Sequence, residues 1–486
     1  MIDLTLESRT LDKNIAYCRE KGITLPTFEM MRNPDKVPQK VKQQLKKTGL
    51  WDLHSANLYR ITWRNEPKES GGLYGGVNHI VLPPELTGCK ASIIMLTGRY
   101  FPTGAHKVGA TYGCLAPGLV TGQFDPQQTK AVWPSTGNYC RGGAYISALL
   151  ACNAIAILPE EMSKERFEWL HEIAGEVIAT PGCESNVKEI FDKCWELRES
   201  GQDLRIFNQF EEMGNPMWHY SVTGHAVETL LDQYLAGGKR YAGYVSSSGS
   251  GGTLGAGYYL KRKFPRSQVV AAEALQCATL LYNGFGAHRI EGIGDKHVPW
   301  VHDCKETDFV VAVDDEVPMR ALRLFNEPVG RKALVDNGVS AALVEQLDLL
   351  GISGIGNMVA AIKYAKYNEL TEDDYMVSIA TDSMQLYGSR LSELAAERGV
   401  YSAADAQRDI ELVDSITIDH TKELSYYEKK TVHNLKYYTW IEQQGRGVQE
   451  LNDQWYDHDN YWYAMFDQVH EIDALINQFN ERVGLL

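Results

Sequence analysis

The stretch FPTGAHKVGATYGCL, Phe101–Leu115, sets one lysine among small residues and a histidine and follows it with a short apolar run. A lysine on an ordinary surface needs no such setting, because its ammonium reaches water whatever its neighbours are. The pattern poses a choice for Lys107 between a solvated charge and a buried amine with a chemical task.

Working outward, short β-rich runs alternate with helical stretches from about Ala91 to Thr381: KAVWP, AIAIL, EVIAT, YAGYVSS, QVVAAEA, DFVVAV and YMVSIAT. Strands separated by helices predict an α/β fold with mostly parallel sheets covered by helices on both faces. Ligands in such folds bind at the carboxyl ends of strands, where several glycine-rich turns fall. The expected division is an N-terminal extension over 1–90, a large domain over 91–120 and 240–415, a small domain over 121–239, and an aromatic-rich C-terminal extension over 416–486. No internal repeat or low-complexity linker interrupts the chain.

The 486 residues are 44% hydrophobic and 10% aromatic, ample for real cores, and carry a formal charge of -15. That balance argues against nucleic acid or an anionic membrane as a partner. The basic cluster KVPQKVKQQLKK reads as a solvated helix face. Acidic residues at the N-terminus and the lack of a long apolar run predict a cytoplasmic protein. Nine cysteines without a CxxC pair or Cys/His ligand spacing argue against disulfides and metal, and Cys140 reads as a packing residue. The Tyr- and Trp-rich end reads as packing across the core or a subunit interface.

Four further stretches carry chemistry. In VSSSGSGGTLGAGYYLKRKFP, glycines 249, 251 and 252 free backbone N–H groups to face one point, and a helix starting near Thr253 adds its positive end, which makes a phosphate cradle. The spacing is not the dinucleotide fingerprint, because the sixth position is Leu254, and this disfavours a nicotinamide dehydrogenase. In WPSTGNYCRGG, Ser135, Thr136, Gly137 and Asn138 gather donors at a helix start, suited either to a carboxylate or to capping. IATDSMQLYGSRL places Ser383 just beyond the last β-run, where a hydroxyl can bond a heterocyclic nitrogen. HRIEGIGDKHVPW brackets a turn with Gly292 and Gly294.

Together these resemble one family. TGAHK is similar to the lysine motif of tryptophan synthase β chains; PSTGN, GSGGT, EGIG and TDS resemble the substrate loop, phosphate loop, active-site turn and ring-nitrogen serine of cysteine synthase and cystathionine β-synthase. Their order agrees, and the resemblance covers roughly residues 80 to 395. It implies a pyridoxal-phosphate enzyme of fold type II, with two three-layer domains and a homodimeric assembly.

By resemblance, Lys107 holds the cofactor as a Schiff base, which needs a neutral amine; a pocket of small residues excludes water and favours that form. His106 lies beside the cofactor phosphate, and Gly249, Ser250, Gly251, Gly252 and Thr253 cradle it. Asn138 bonds the ring 3'-oxygen and Ser383 the pyridine nitrogen. Ser135, Thr136, Gly137, Asn138, Tyr139 and Gly292 form the substrate site. The expected reaction is β-elimination or β-replacement on cysteine, serine or an O-activated serine through an aminoacrylate, with Lys107 as the base. Alternatives are a tryptophan-synthase-like β-replacement with a bulkier nucleophile and, in another class, a non-catalytic cofactor-binding regulatory subunit. Tyr139 departs from the cysteine synthase pattern, which commonly has threonine there.

Overall fold

The computed structural model describes residues 1–67, 72–135, 137–183, 186–293 and 296–486; Thr136 of the expected carboxylate loop and Gly294 of the expected turn lie outside the described residues. Two sheets organise the chain. The larger has seven strands in the order β1 (His79–Leu82), β2 (Ser92–Thr97), β10 (Asp374–Ala380), β7 (Arg240–Ser247), β8 (Gln268–Ala274), β9 (Phe309–Val313) and β11 (Thr421–Glu423). Its outermost strands β1 and β11 run antiparallel to their neighbours, and the five between them are parallel. The smaller sheet is wholly parallel, in the order β5 (Glu176–Thr180), β4 (Ala154–Pro159), β3 (Lys130–Pro134) and β6 (Leu204–Ile206).

The central strands are largely apolar on both faces because helices bury both faces. Ile94, Leu96, Val269, Ala271, Val310 and Val377 belong to one core, whereas their strand neighbours Ile93, Met95, Val270, Val311 and Met376 belong to the other. The alternation is the two-residue period of a strand expressed as two separate cores. All seven β-runs read from the sequence form strands, and β1, β2, β6 and β11 join them.

The N- and C-terminal segments pack on each other and on the core. Asn480 exchanges two hydrogen bonds with the backbone of Leu25, at 2.9 and 2.7 Å, and Asp473 accepts from the N–H of Phe28 at 2.6 Å. Val41 and Leu45 face inward from the helix Gln39–Leu45, leaving Lys40, Lys46 and Lys47 exposed, so the basic cluster is a solvated face. Trp440, Trp455 and Trp462 of the C-terminal segment are buried, as the packing reading expected. Among the described residues no helix is long and apolar enough to cross a membrane.

Candidate active site

Lys107 opens the helix Lys107–Thr121 just past the end of β2. The small residues around it have a direct physical use: they let other helices approach that helix at backbone distance. A Cβ on Gly142 of the helix Asn138–Leu149 would lie 3.0 Å from the backbone of Val108, and one on Gly109 would fall inside the ring of Trp218. The preceding turn holds Thr103 at φ 71, a left-handed conformation that a β-branched residue adopts only at a cost and that clusters at functional sites.

The amine of Lys107 reaches a narrow cleft between the two sheets, lined also by Ser135, Asn138, Tyr139, Gln209, Phe210, Gly249, Ser250, Gly292, Ile293 and Thr381. Among the described residues its Nζ has one hydrogen-bond contact, a long one at 3.5 Å to Ser250 Oγ, and desolvation pushes its pKa down to about 8. Desolvation disfavours the ammonium, and a position in the first helical turn adds the repulsion of the helix dipole.

The cleft faces a glycine loop running from Gly249 into the helix Gly255–Lys263. Gly251 is left-handed at φ 77, and a Cβ on Gly252 would stand 2.1 Å from the amide oxygen of Asn215. Only glycine serves at these two positions. Among the described residues, no protein acceptor takes the backbone N–H of Ser250 or Gly251. Thr253 locks the loop from within, its hydroxyl accepting from Ser246 Oγ at 2.9 Å and donating to Ser247 O at 3.3 Å. Asn215 Nδ2 donates to Ser250 Oγ at 3.0 Å.

On the opposite wall, Ser135 Oγ accepts from the N–H of Gly137 at 3.1 Å and from Gln209 Nε2 at 3.2 Å. Asn138 Nδ2 donates to Asp382 at 2.6 Å, and Tyr387 donates to the same carboxylate oxygen at 2.7 Å. Burial raises the Asp382 carboxyl, while nearby Arg166 opposes that rise. Arg166 is fully buried and reaches Glu291 at 3.0 Å and Tyr387 at 3.0 Å, so a helix following β4 is tied to the turn before Gly292. Tyr139 lines the cleft but sends its hydroxyl to Cys114 Sγ, 3.4 Å away.

Several expected residues stand one layer behind the wall. His106 Nε2 meets Thr381 Oγ1 at 3.1 Å, its ring packs edge-on against His219 at 4.9 Å, and burial holds both histidines well below the ordinary imidazole range. Ser383 is fully buried, and its hydroxyl has no protein partner among the described residues. Cys140 is a packing residue: its thiol donates to Gly137 O at 2.9 Å, and burial pushes it up to about 12. The sequence reading included Glu291 and Thr381 in the EGIG and TDS motifs without giving them roles, and it missed Gln209, Asn215 and Arg166 as parts of this arrangement. Gln209 lies in a turn and Asn215 in the short helix Gly214–Trp218, neither with a periodic pattern, and their long-range bonds mark them.

A family model described as pyridoxal-phosphate dependent enzyme matches residues 88–382. The chain belongs to this family, and its cofactor is pyridoxal phosphate. Cystathionine β-synthase of Saccharomyces cerevisiae is 28% identical over 313 residues, covering 63% of this chain and 58% of the yeast protein. Cysteine synthase of Staphylococcus aureus is 29% identical over 267 residues, covering 55% of this chain and 77% of that enzyme. A hydrogen sulfide-producing enzyme of Fusobacterium nucleatum shares the fold with a TM-score of 0.56 at 22% identity, over 64% of this chain and 97% of that one.

The site fits the cofactor on its own chemistry. An amine whose ammonium form is disfavoured, a glycine loop with N–H groups that meet no acceptor among the described residues and a buried hydroxyl with no partner among them correspond to an aldehyde, a phosphate and a ring nitrogen.

Proposed function

We propose that the protein catalyses β-elimination or β-replacement on a small amino acid: cysteine, serine or an O-activated serine. The observation that carries this reading is the cleft that joins the Lys107 amine, the glycine loop and the side chains of Ser135 and Asn138 between the two sheets. The likeness to cysteine synthase and cystathionine β-synthase supports the substrate class.

When bound, pyridoxal phosphate supplies an electron sink for the pair left at the substrate α-carbon. Lys107 would hold the cofactor and would serve as the base at the substrate α-carbon; its depressed pKa favours the free amine that both tasks need. Ser250, Gly251 and Gly252 hold the phosphate through backbone N–H groups, with His106 in the layer beside them. Ser135, Thr136, Gly137, Asn138, Tyr139 and Gly292 bind and orient the amino acid, and Gln209 holds the Ser135 hydroxyl in place. Asn138 keeps one amide hydrogen for the ring oxygen while the other stays on Asp382. Ser383 offers the ring nitrogen a neutral hydroxyl that places no proton on it, which favours prompt loss of a β-substituent over racemisation or transamination. In this reading residues 91–120 and 240–415 hold the cofactor, 121–239 carry the substrate loop, and the protein is a cytoplasmic homodimer.

The test is turnover by the cofactor-loaded protein of cysteine, serine and O-acetylserine, each with and without added sulfide or a thiol, with release of sulfide, pyruvate and ammonia and formation of the substituted amino acid followed. Full cofactor binding with no product from any of the three refutes the proposal.

A further inference from the structure

The family match ends at residue 382, yet the C-terminal segment reaches back to the glycine loop. The connection runs through one ammonium. Lys436, in the last turn of the helix Tyr426–Lys436, is fully buried. Its Nζ donates to Trp300 O at 2.9 Å, His302 O at 2.6 Å and Gln454 Oε1 at 2.7 Å. Three acceptors use all three of its hydrogens. The rings of Trp300 and Trp462 flank it at 5.9 and 5.6 Å.

The backbone that Lys436 grips is a hub. Between the two bonded carbonyls lies Val301, whose N–H donates to Phe210 O at 3.2 Å on the cleft wall. His302 backs the glycine loop: a Cβ on Gly251 would lie 3.1 Å from His302 Cβ and 3.4 Å from its Cα. A second clamp from the same segment, Trp440 Nε1 to Val298 O at 2.8 Å, holds the approach to the hub. Residues 300–302 thus face the C-terminal segment on one side and two walls of the cleft on the other.

We propose that Lys436 is a positioning residue of the cofactor site: by fixing the carbonyls of Trp300 and His302 it sets the place of Gly251, so that the C-terminal segment is the outer wall of the phosphate loop. This rests on the reading that the loop Gly249–Thr253 holds the cofactor phosphate. Lys436 touches neither cofactor nor substrate and acts through His302.

The test compares binding of pyridoxal phosphate and of pyridoxal, which lacks the phosphate, to apoprotein of wild type, Lys436→Met and Gly251→Val, together with the ³¹P shift of bound cofactor. Lys436→Met is expected to weaken pyridoxal phosphate about tenfold, the scale of lost hydrogen bonds to a charged group, to leave pyridoxal within about twofold, and to move the ³¹P shift. A lower melting temperature with an unchanged affinity ratio and an unchanged ³¹P shift overturns the proposal, because Lys436 then only staples the C-terminal segment. If Gly251→Val keeps its phosphate preference, the reading of the loop itself falls; if Gly251→Val loses it and Lys436→Met does not, only the role of Lys436 falls. Should Lys436→Met not fold, Gln454→Leu carries the test, with about a threefold change in the ratio expected and no change overturning it.

Discussion

Lys107 is a half-buried amine and Lys436 a fully buried one, and desolvation pushes both down to about 8, yet their surroundings have opposite designs. Lys107 sits in the first turn of its helix with a single contact at 3.5 Å. Lys436 lies where the helix Tyr426–Lys436 continues into the π-helical segment Tyr437–Gln443, with three acceptors at 2.6 to 2.9 Å. An amine with one distant partner exchanges its bonds easily, whereas one with three close partners is held. Burial alone does not mark a reactive lysine. The count and closeness of acceptors does.

The largest effect expected from this contrast is on covalent attachment. Lys107→Ala should abolish the bond to the cofactor and lower turnover by about a thousandfold, while Lys436→Met should keep the bond. Borohydride reduction followed by peptide mapping checks it; a label on Lys436, Lys130 or Lys296 breaks the comparison.

Stability of the apoprotein should move in opposite directions. Lys436→Met strands two carbonyls and an amide oxygen and should cost roughly 3 kcal/mol, whereas Lys107→Met removes a poorly paired buried cation and should stabilise by about 1 kcal/mol. Calorimetry of the two variants measures both signs.

The pH dependence follows from the same depression. An unfolded lysine holds its proton up to its ordinary value near 10.5, while folded Lys107 holds it only up to about 8. Between those values the unfolded chain binds more protons, so the stability of the apoprotein rises with pH across that window, and the penalty is largest below it. Lys107→Met should rise less steeply than wild type from pH 8 to 10.5. Identical slopes in thermal melts of the two would show that Lys107 is solvated.

The smallest effect on stability belongs to Ser383. Its hydroxyl has no protein partner among the described residues, so Ser383→Ala should change apoprotein stability by no more than about 0.5 kcal/mol, while shifting the visible absorption of bound cofactor. Asp382→Asn, altering a carboxylate that already accepts from Asn138 and Tyr387, should do the reverse and cost more stability. A spectral shift from Asp382→Asn alone would make the acidic residue the ring partner.

Much of this was legible in the order of residues because the signals are local. Runs such as QVVAAEA and KAVWP are strands, since a continuous apolar stretch of that length is stable only between two covered faces. TGAHK and GSGGT could be read because close backbone approach and left-handed turns demand small residues wherever they occur. The strand β2, SIIMLT, escaped because it directly precedes the lysine turn with no separating helix, and β6 because three residues carry too short a pattern. Gln209, Asn215 and Arg166 carry no local signature. Their roles rest on bonds to Ser135, Ser250, Glu291 and Tyr387, between 35 and 221 residues away for the hydrogen bonds.

The α/β architecture, the family and the lysine on which the proposed chemistry turns are all readable from the order of residues, since periodicity and small-residue motifs are properties of neighbours in the chain. Only the tertiary structure decided which buried amine is left with a single partner, and that the last seventy residues reach the glycine loop through Lys436 and His302. The physical reason is that hydrogen-bond satisfaction and desolvation depend on what surrounds a group in space, and here the deciding acceptors, Trp300 O and His302 O, lie 136 and 134 positions from the lysine they hold.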